Sequence, residues 1–140
     1  MKFEDSKYYK ILKHQKVEKP FGNFYFLDQF AISEIHEGVH FNYQMIDIIS
    51  EEVIKFYNDF KKQNPKKLIY ITNKINSYSL DPNSWIKTEA KYGIAYTRAI
   101  VNYNSWSHTN AAIEKMFSKA NIKCCHTLDE AIEWAICQNE

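Results

Sequence analysis

Arginine is almost missing from this chain: Arg98 is the one arginine among 18 basic residues in a total of 140. Nucleic-acid readers rely on arginine clusters for phosphate and guanine contacts, so that class is set aside. Acidic residues number 17 and the net charge is +1, so bulk electrostatics name no partner. Glycine and proline are scarce, three of each, which leaves no linker and no low-complexity tract. A single domain over 1–140 is expected, with 1–12 as a loosely ordered N-terminal extension holding at most a short helical turn. The first twenty residues are the most basic stretch, six lysines against Glu4, Asp5 and Glu18, in keeping with a solvated end.

Cysteines are three: Cys124, Cys125 and Cys137. Neighbouring cysteines on a strand point to opposite faces and rarely bond each other. Cys124-Cys125-His126 lacks the spaced pairs of a tetrahedral metal site, so no metal and no cofactor is expected. No secretory signal and no long apolar run is present, which predicts a cytoplasmic location without a transmembrane segment. Gly-rich phosphate loops, G-x-S-x-G, H-E-x-x-H and C-x-x-C are all lacking, and no enzyme class with a readable signature is supported.

What is abundant is aromatic: ten Tyr and nine Phe contribute to an aromatic share of 16%, far from the composition of a disordered chain. His14 to Leu27 reads as an extended arm broken at Pro20-Phe21-Gly22, its second half strand-like. Asp28-Gln29 turns it into Phe30–Ile35, a β-hairpin. A short strand at Val39-His40-Phe41 follows the Glu37-Gly38 turn. Ile46, Ile49, Val53, Phe56 and Phe60 share one face of a helix over Tyr43–Lys62, which Asn64-Pro65 stops. Leu68–Thr72 is an unbroken apolar strand, suited to cover on both faces. Asp81-Pro82 is an N-cap followed by proline at the first helical position, for a helix to Tyr92. A strand at Tyr96–Tyr103, a helix from Ser107 or Thr109 to Lys119 and a strand at Ile122–Cys125 come next. Thr127-Leu128-Asp129-Glu130 is a capping box opening a last helix with Leu128, Ala131, Ile132 and Ala135 inward. The expected fold is α/β: a mixed sheet of four to five strands with a leading hairpin, the last three strands parallel, and about four helices.

The stretches PFGNFYFLDQFAISEIHEGVHF, YITNKINSYSLDPNSW, AIVNYN, AIEKMF and TLDEAIEW resemble bacterial STAS/SEC14-like proteins, also called SpoIIAA-like, in the small versions found in Bacteroidetes-type bacteria. The likeness covers residues 15–137, and Asn73–Ser79 is its most specific part. It implies a SpoIIAA/STAS-like fold and a non-catalytic role: binding a protein partner, or carrying a small apolar ligand or lipid in the SEC14 manner. Some members switch through a serine phosphorylated at an Asp-Ser-small-Gly turn. Here that turn has neither Asp-Ser nor Gly.

The connection Asn73-Lys74-Ile75-Asn76-Ser77-Tyr78-Ser79 is the leading candidate site. It follows a strand's carboxyl end, where open α/β sheets bind ligands. Ser77 and Ser79 precede a helix start, which favours anions or a phosphoryl group on either serine. Lys74 adds charge, Asn73 and Asn76 offer donors and acceptors, and Tyr78 an aromatic ring. The competing reading is a loop whose Asn and Ser side chains satisfy its own backbone. Glu34, His36, Glu37 and His40 form a second cluster with proton-transfer or metal-binding potential, against which stands an ordinary polar edge. Arg98 is expected to pair with a carboxylate or carbonyls at the sheet surface, Glu34 being the named candidate. Phe24, Tyr25, Phe26, Phe41, Tyr70, Tyr78, Trp85, Tyr92, Tyr96, Tyr103 and Trp106 fill the core, line an apolar pocket, or form a homodimer surface.

Overall fold

In a computed structural model, residues 1–57, 69–81, 83–92, 97–103 and 122–138 are described here. The expected Phe60, Lys62, Pro82, Tyr96 and Trp106, the helix ending at Lys119, and the side chain of Tyr92 lie outside them. A six-stranded mixed sheet runs β1 (Gln15–Lys19), β2 (Gly22–Phe26), β3 (Phe30–Ile35), β5 (Ile69–Asn73), β7 (Thr97–Val101), β8 (Ile122–Cys125). The first three strands are antiparallel neighbours, and from β3 to β8 every pairing is parallel. The small strands β4 (His40–Phe41) and β6 (Ser79–Leu80) form a separate parallel pair.

The sheet has one strand more than the expected four to five. The lysine- and glutamate-bearing half of the extended arm pairs fully as β1, with Lys16 opposite Tyr25. It is an edge strand, and charged side chains such as Lys16 and Glu18 protect edges rather than preclude pairing. Beyond β1 the hairpin is as expected: Leu27 N–H donates to the Phe30 carbonyl at 2.9 Å, closing the Asp28-Gln29 turn. A Cβ on Gly22 would lie 2.8 Å from the Glu34 carbonyl oxygen, so backbone alone fits between β2 and β3 there.

Strand alternation divides the core into two layers. One face carries Ile32, Ile71, Ala99 and Val101 and is covered by Leu128, Ala131, Ile132 and Ala135 of the C-terminal helix (Leu128–Gln138). That helix starts as its capping box predicts: Glu130 N–H donates to Thr127 Oγ1 at 3.1 Å. The Glu130 carboxylate accepts from His126 N–H at 2.9 Å. The other face carries Phe24, Phe26, Ala31 and Tyr70 beneath the helix Tyr43–Phe56, which inserts Ile46, Ile49 and Val53. Its start is capped by Asn42, whose side chain accepts Met45 N–H at 3.1 Å. Phe56, expected inward, is 42% exposed. The apolar stripe steps from Val53 to Tyr57, one position on, and the Tyr57 hydroxyl reaches the Leu27 and Phe30 carbonyls at 2.6 and 2.8 Å.

Residues 1–12 are not a loose extension. Phe3 is wholly buried, edge-on to Tyr9 and His14 and tilted against Tyr25. A 3-10 turn (Phe3–Asp5) and a short helix (Tyr8–Ile11) carry it over the first face, and Glu4 takes hydrogen bonds from Tyr25 and Lys16. One aromatic at position 3 thus converts a basic leader into part of the core. Among the described residues the α-helices in chain order are α1 (Tyr8–Ile11), α2 (Tyr43–Phe56), α3 (Asn83–Tyr92) and α4 (Leu128–Gln138). No helix among the described residues is long and apolar enough to cross a membrane.

Candidate functional site

Where β5 ends, alternation sends consecutive side chains to opposite faces, and this decides what the Asn73–Ser79 connection can do. Asn73 goes to the first face and is 1% exposed. Its Nδ2 donates to the Met1 carbonyl and to Glu34 Oε2, both at 2.9 Å, and its Oδ1 accepts from the Tyr103 hydroxyl at 2.7 Å. Glu34 Oε2 also accepts Phe3 N–H at 2.7 Å. The asparagine therefore ties the chain's start to β3. Asn76 is likewise structural, donating to the Ile35 carbonyl at 3.0 Å.

The exposed part of the connection is Ser77 and Ser79. It is braced against the turn before β4. Gly38 N–H donates to the Ser77 carbonyl at 2.8 Å, Ser77 N–H to Glu37 Oε2 at 2.8 Å, and Ser79 N–H to the Val39 carbonyl at 3.0 Å. The Ser79 hydroxyl meets His40 Nδ1 at 2.7 Å. Gly38 adopts φ +76°, a left-handed conformation that suits glycine, and so lets the two segments meet.

Lys74 goes to the second face, beside a buried polar group that the sequence reading did not assemble. The Lys74 residue is 6% exposed. Its ammonium lies 5.3 Å from the centroid of the Tyr78 ring. Among the described residues no carboxylate lies within ion-pair distance of it. Burial, and secondarily the positive charge of Arg98, lowers its pKa to about 8. Arg98, fully buried, stacks its guanidinium 4.0 Å from the Trp85 ring centroid. Burial lowers its pKa to about 10, partly offset by the Glu89 carboxylate. Tyr78, against Phe41 on this same face, has its phenol pushed well above the ordinary range by burial. Asn102 follows β7, is 3% exposed, and the β5–β7 register places it beside Lys74. Among the described residues neither Asn102 Nδ2 nor Oδ1 has a hydrogen-bond partner, and the same holds for Trp85 Nε1 and Ser84 Oγ. The signal for this group was present in the sequence: Tyr70-x-Thr72-x-Lys74 and Arg98-x-Ile100-x-Asn102 alternate on adjacent strands.

The expected Glu34–Arg98 pair is not formed. Ile32, Ile71 and Ala99 are register partners on one face. Glu34 shares their face, whereas Arg98, next to Ala99, lies on the other. Nor do Glu34, His36 and His40 converge. Glu34 is buried under Phe3, His36 is exposed, and His40 meets Ser79 at the small β4–β6 pair. Burial raises the Glu34 pKa, opposed by the Phe3 and Asn73 donors. The fold therefore holds a proton there that the unfolded chain releases above its ordinary value of 4.5. Stability supplied by this group declines as pH rises through the folded value. Glu34→Gln, which keeps an oxygen acceptor, should remove that decline: melting curves of the two proteins should diverge as pH rises, with the variant more stable.

The aromatic set is divided rather than pooled. Tyr25 belongs to the first face, while Phe24, Phe26, Phe41, Tyr70 and Trp85 belong to the second. Cys124, Cys125 and Cys137 are free thiols, and burial pushes the Cys125 pKa up to about 11, away from nucleophilic use. Among the described residues no group of three or more His, Cys, Asp or Glu side chains is placed to hold a metal ion. Comparison of the chain with protein-family models, with curated proteins and with solved structures found no match.

Proposed function

We propose that this chain is a non-catalytic regulatory or interaction module of the STAS/SpoIIAA-like kind. A protein partner docks on the rim formed by Ser77–Ser79 and the facing His36–His40 turn. The observation that carries the reading is the cross-bracing of these two exposed segments. Backbone bonds at Ser77 and Ser79 and the Glu37 carboxylate hold a solvent-facing surface in one conformation. A surface ordered beforehand loses little entropy on docking. The leading hairpin and the parallel strands alternating with helices support the family resemblance.

Because Asn73 and Asn76 hold the structure together, substituting them would confound folding with binding. Ser77→Arg is the informative change: its side chain is exposed and makes no hydrogen bond of its own among the described residues. Capture of partners from the native host by the tagged protein should be lost in Ser77→Arg, with an unaltered melting temperature. Equal capture by both proteins contradicts the docking surface. A second reading, binding of a small ligand, is favoured by the buried Lys74 and Asn102 side chains.

A further inference from the structure

The rim does not use the polar groups buried behind it. Lys74 and Asn102 stand side by side at the carboxyl ends of two adjacent parallel strands, the position where open α/β sheets take ligands. Lys74 brings three ammonium donors, with no acid partner among the described residues. Asn102, 3% exposed, brings a donor and an acceptor without a hydrogen-bond partner among the described residues. Buried polar atoms are nearly always paired, so two such atoms on one side chain beside a cation, all without a partner among the described residues, call for a ligand. Among the described residues no Asp or Glu side chain supplies it. Among the described residues, the Glu89 carboxylate and the Tyr70 and Tyr78 hydroxyls act on the neighbouring Arg98.

We propose that Lys74 and Asn102 form a binding site for a small ligand carrying an oxyanion, a carboxylate or a phosphate, with a hydrogen-bond donor beside it. The Lys74 ammonium and Asn102 Nδ2 donate to the oxyanion, and Asn102 Oδ1 accepts from the adjacent donor. Arg98 contributes positive potential from the floor of the site while its guanidinium remains stacked on Trp85. Because the Lys74 pKa lies at about 8, the ammonium form that the anion needs prevails at neutral pH and is lost in mildly alkaline solution. The site differs from the exposed rim in burial: Ser77 is exposed, Lys74 and Asn102 are buried, and the Tyr78 ring between Ser77 and Ser79 lies 5.3 Å from the Lys74 ammonium.

The test is a nuclear magnetic resonance titration of the full chain with inorganic phosphate and separately with acetate, each against sodium chloride at equal ionic strength. The Asn102 side-chain amide and the Lys74 and Asn102 backbone amides should shift saturably with a dissociation constant of about 1 mM or tighter for at least one probe. The probe that saturates identifies the head group. Lys74→Met and Asn102→Leu should each weaken binding at least tenfold, whereas Lys10→Met, at an exposed lysine of α1, should leave it unchanged. Raising the pH to about 9.5, above the Lys74 value, should weaken it in the wild type by roughly tenfold or more. Shifts no larger than those with chloride, or equal saturation in folded Lys74→Met, overturn the proposal. The partner-capture result can go either way without affecting this one.

Discussion

Replacing Phe3 by Ala will lower the free energy of unfolding by about 3–5 kcal/mol, the usual cost of emptying a fully buried aromatic position. The size is unusual for a residue so near the amino terminus, where substitutions are commonly tolerated. Phe3 is wholly buried and contacts three rings, Tyr9, His14 and Tyr25. Its backbone N–H also fixes the Glu34 carboxylate, which in turn accepts from Asn73. Removing the ring leaves a cavity over the first face and loosens the segment that covers Glu34. Urea denaturation followed by tryptophan fluorescence measures the loss. A change below about 1 kcal/mol, the range of an ordinary surface substitution, would mean that the leader does not cover the sheet.

Lys74→Met will make the protein more stable. Holding a lysine pKa at about 8 instead of 10.5 corresponds to about 3 kcal/mol spent on keeping the ammonium buried at neutral pH. The lost contact with the Tyr78 ring returns roughly 0.5–1 kcal/mol, so a net gain of about 2 kcal/mol is expected. The sign follows from linkage. The folded state gives up the Lys74 proton earlier than the unfolded chain, so wild-type stability recovers as pH climbs from about 8 toward 10.5. The advantage of Lys74→Met should accordingly be full below pH 8 and shrink above it. Tyrosines held protonated by burial act in the opposite direction only above their ordinary value of 10.0. Paired denaturation curves at several pH values resolve this. A destabilised Lys74→Met protein would show that the ammonium supports the fold rather than burdening it. A group retained at the expense of stability is what a binding site looks like.

Much of the architecture was readable because local signals agree with one another. Asp28-Gln29 between two strands, Asp81-Pro82 before a helix and Thr127–Glu130 before an apolar stripe each specify a junction within a few residues. The faces of α2 and α4 follow from spacing alone, apart from Phe56, where the stripe moves on to Tyr57. What was hidden depends on partners distant in sequence. β1 reads as an arm because its charged side chains suit solvent, and only its backbone pairing with β2 makes it a strand. Phe3 reads as part of a solvated leader because six lysines surround it in sequence. Lys74, Arg98 and Asn102 read as surface residues because charged and amide side chains usually are. Their burial follows from cover over the second face, where Trp85 lies on Arg98 and Tyr78 on Lys74. The Glu34–Arg98 pairing failed for a related reason: the face of one strand relative to another is set by register, which no single segment contains.

Lys74 is an ammonium buried at the end of the sheet with no acid partner among the described residues, and an anion is the partner we propose for it. The most direct measurement is the titration of its side chain by carbon-detected magnetic resonance, with and without saturating phosphate or acetate. A midpoint near 8 is expected in the free protein, moving upward when the anion is bound. A midpoint at the ordinary lysine value of 10.5, indifferent to either anion, would contradict it.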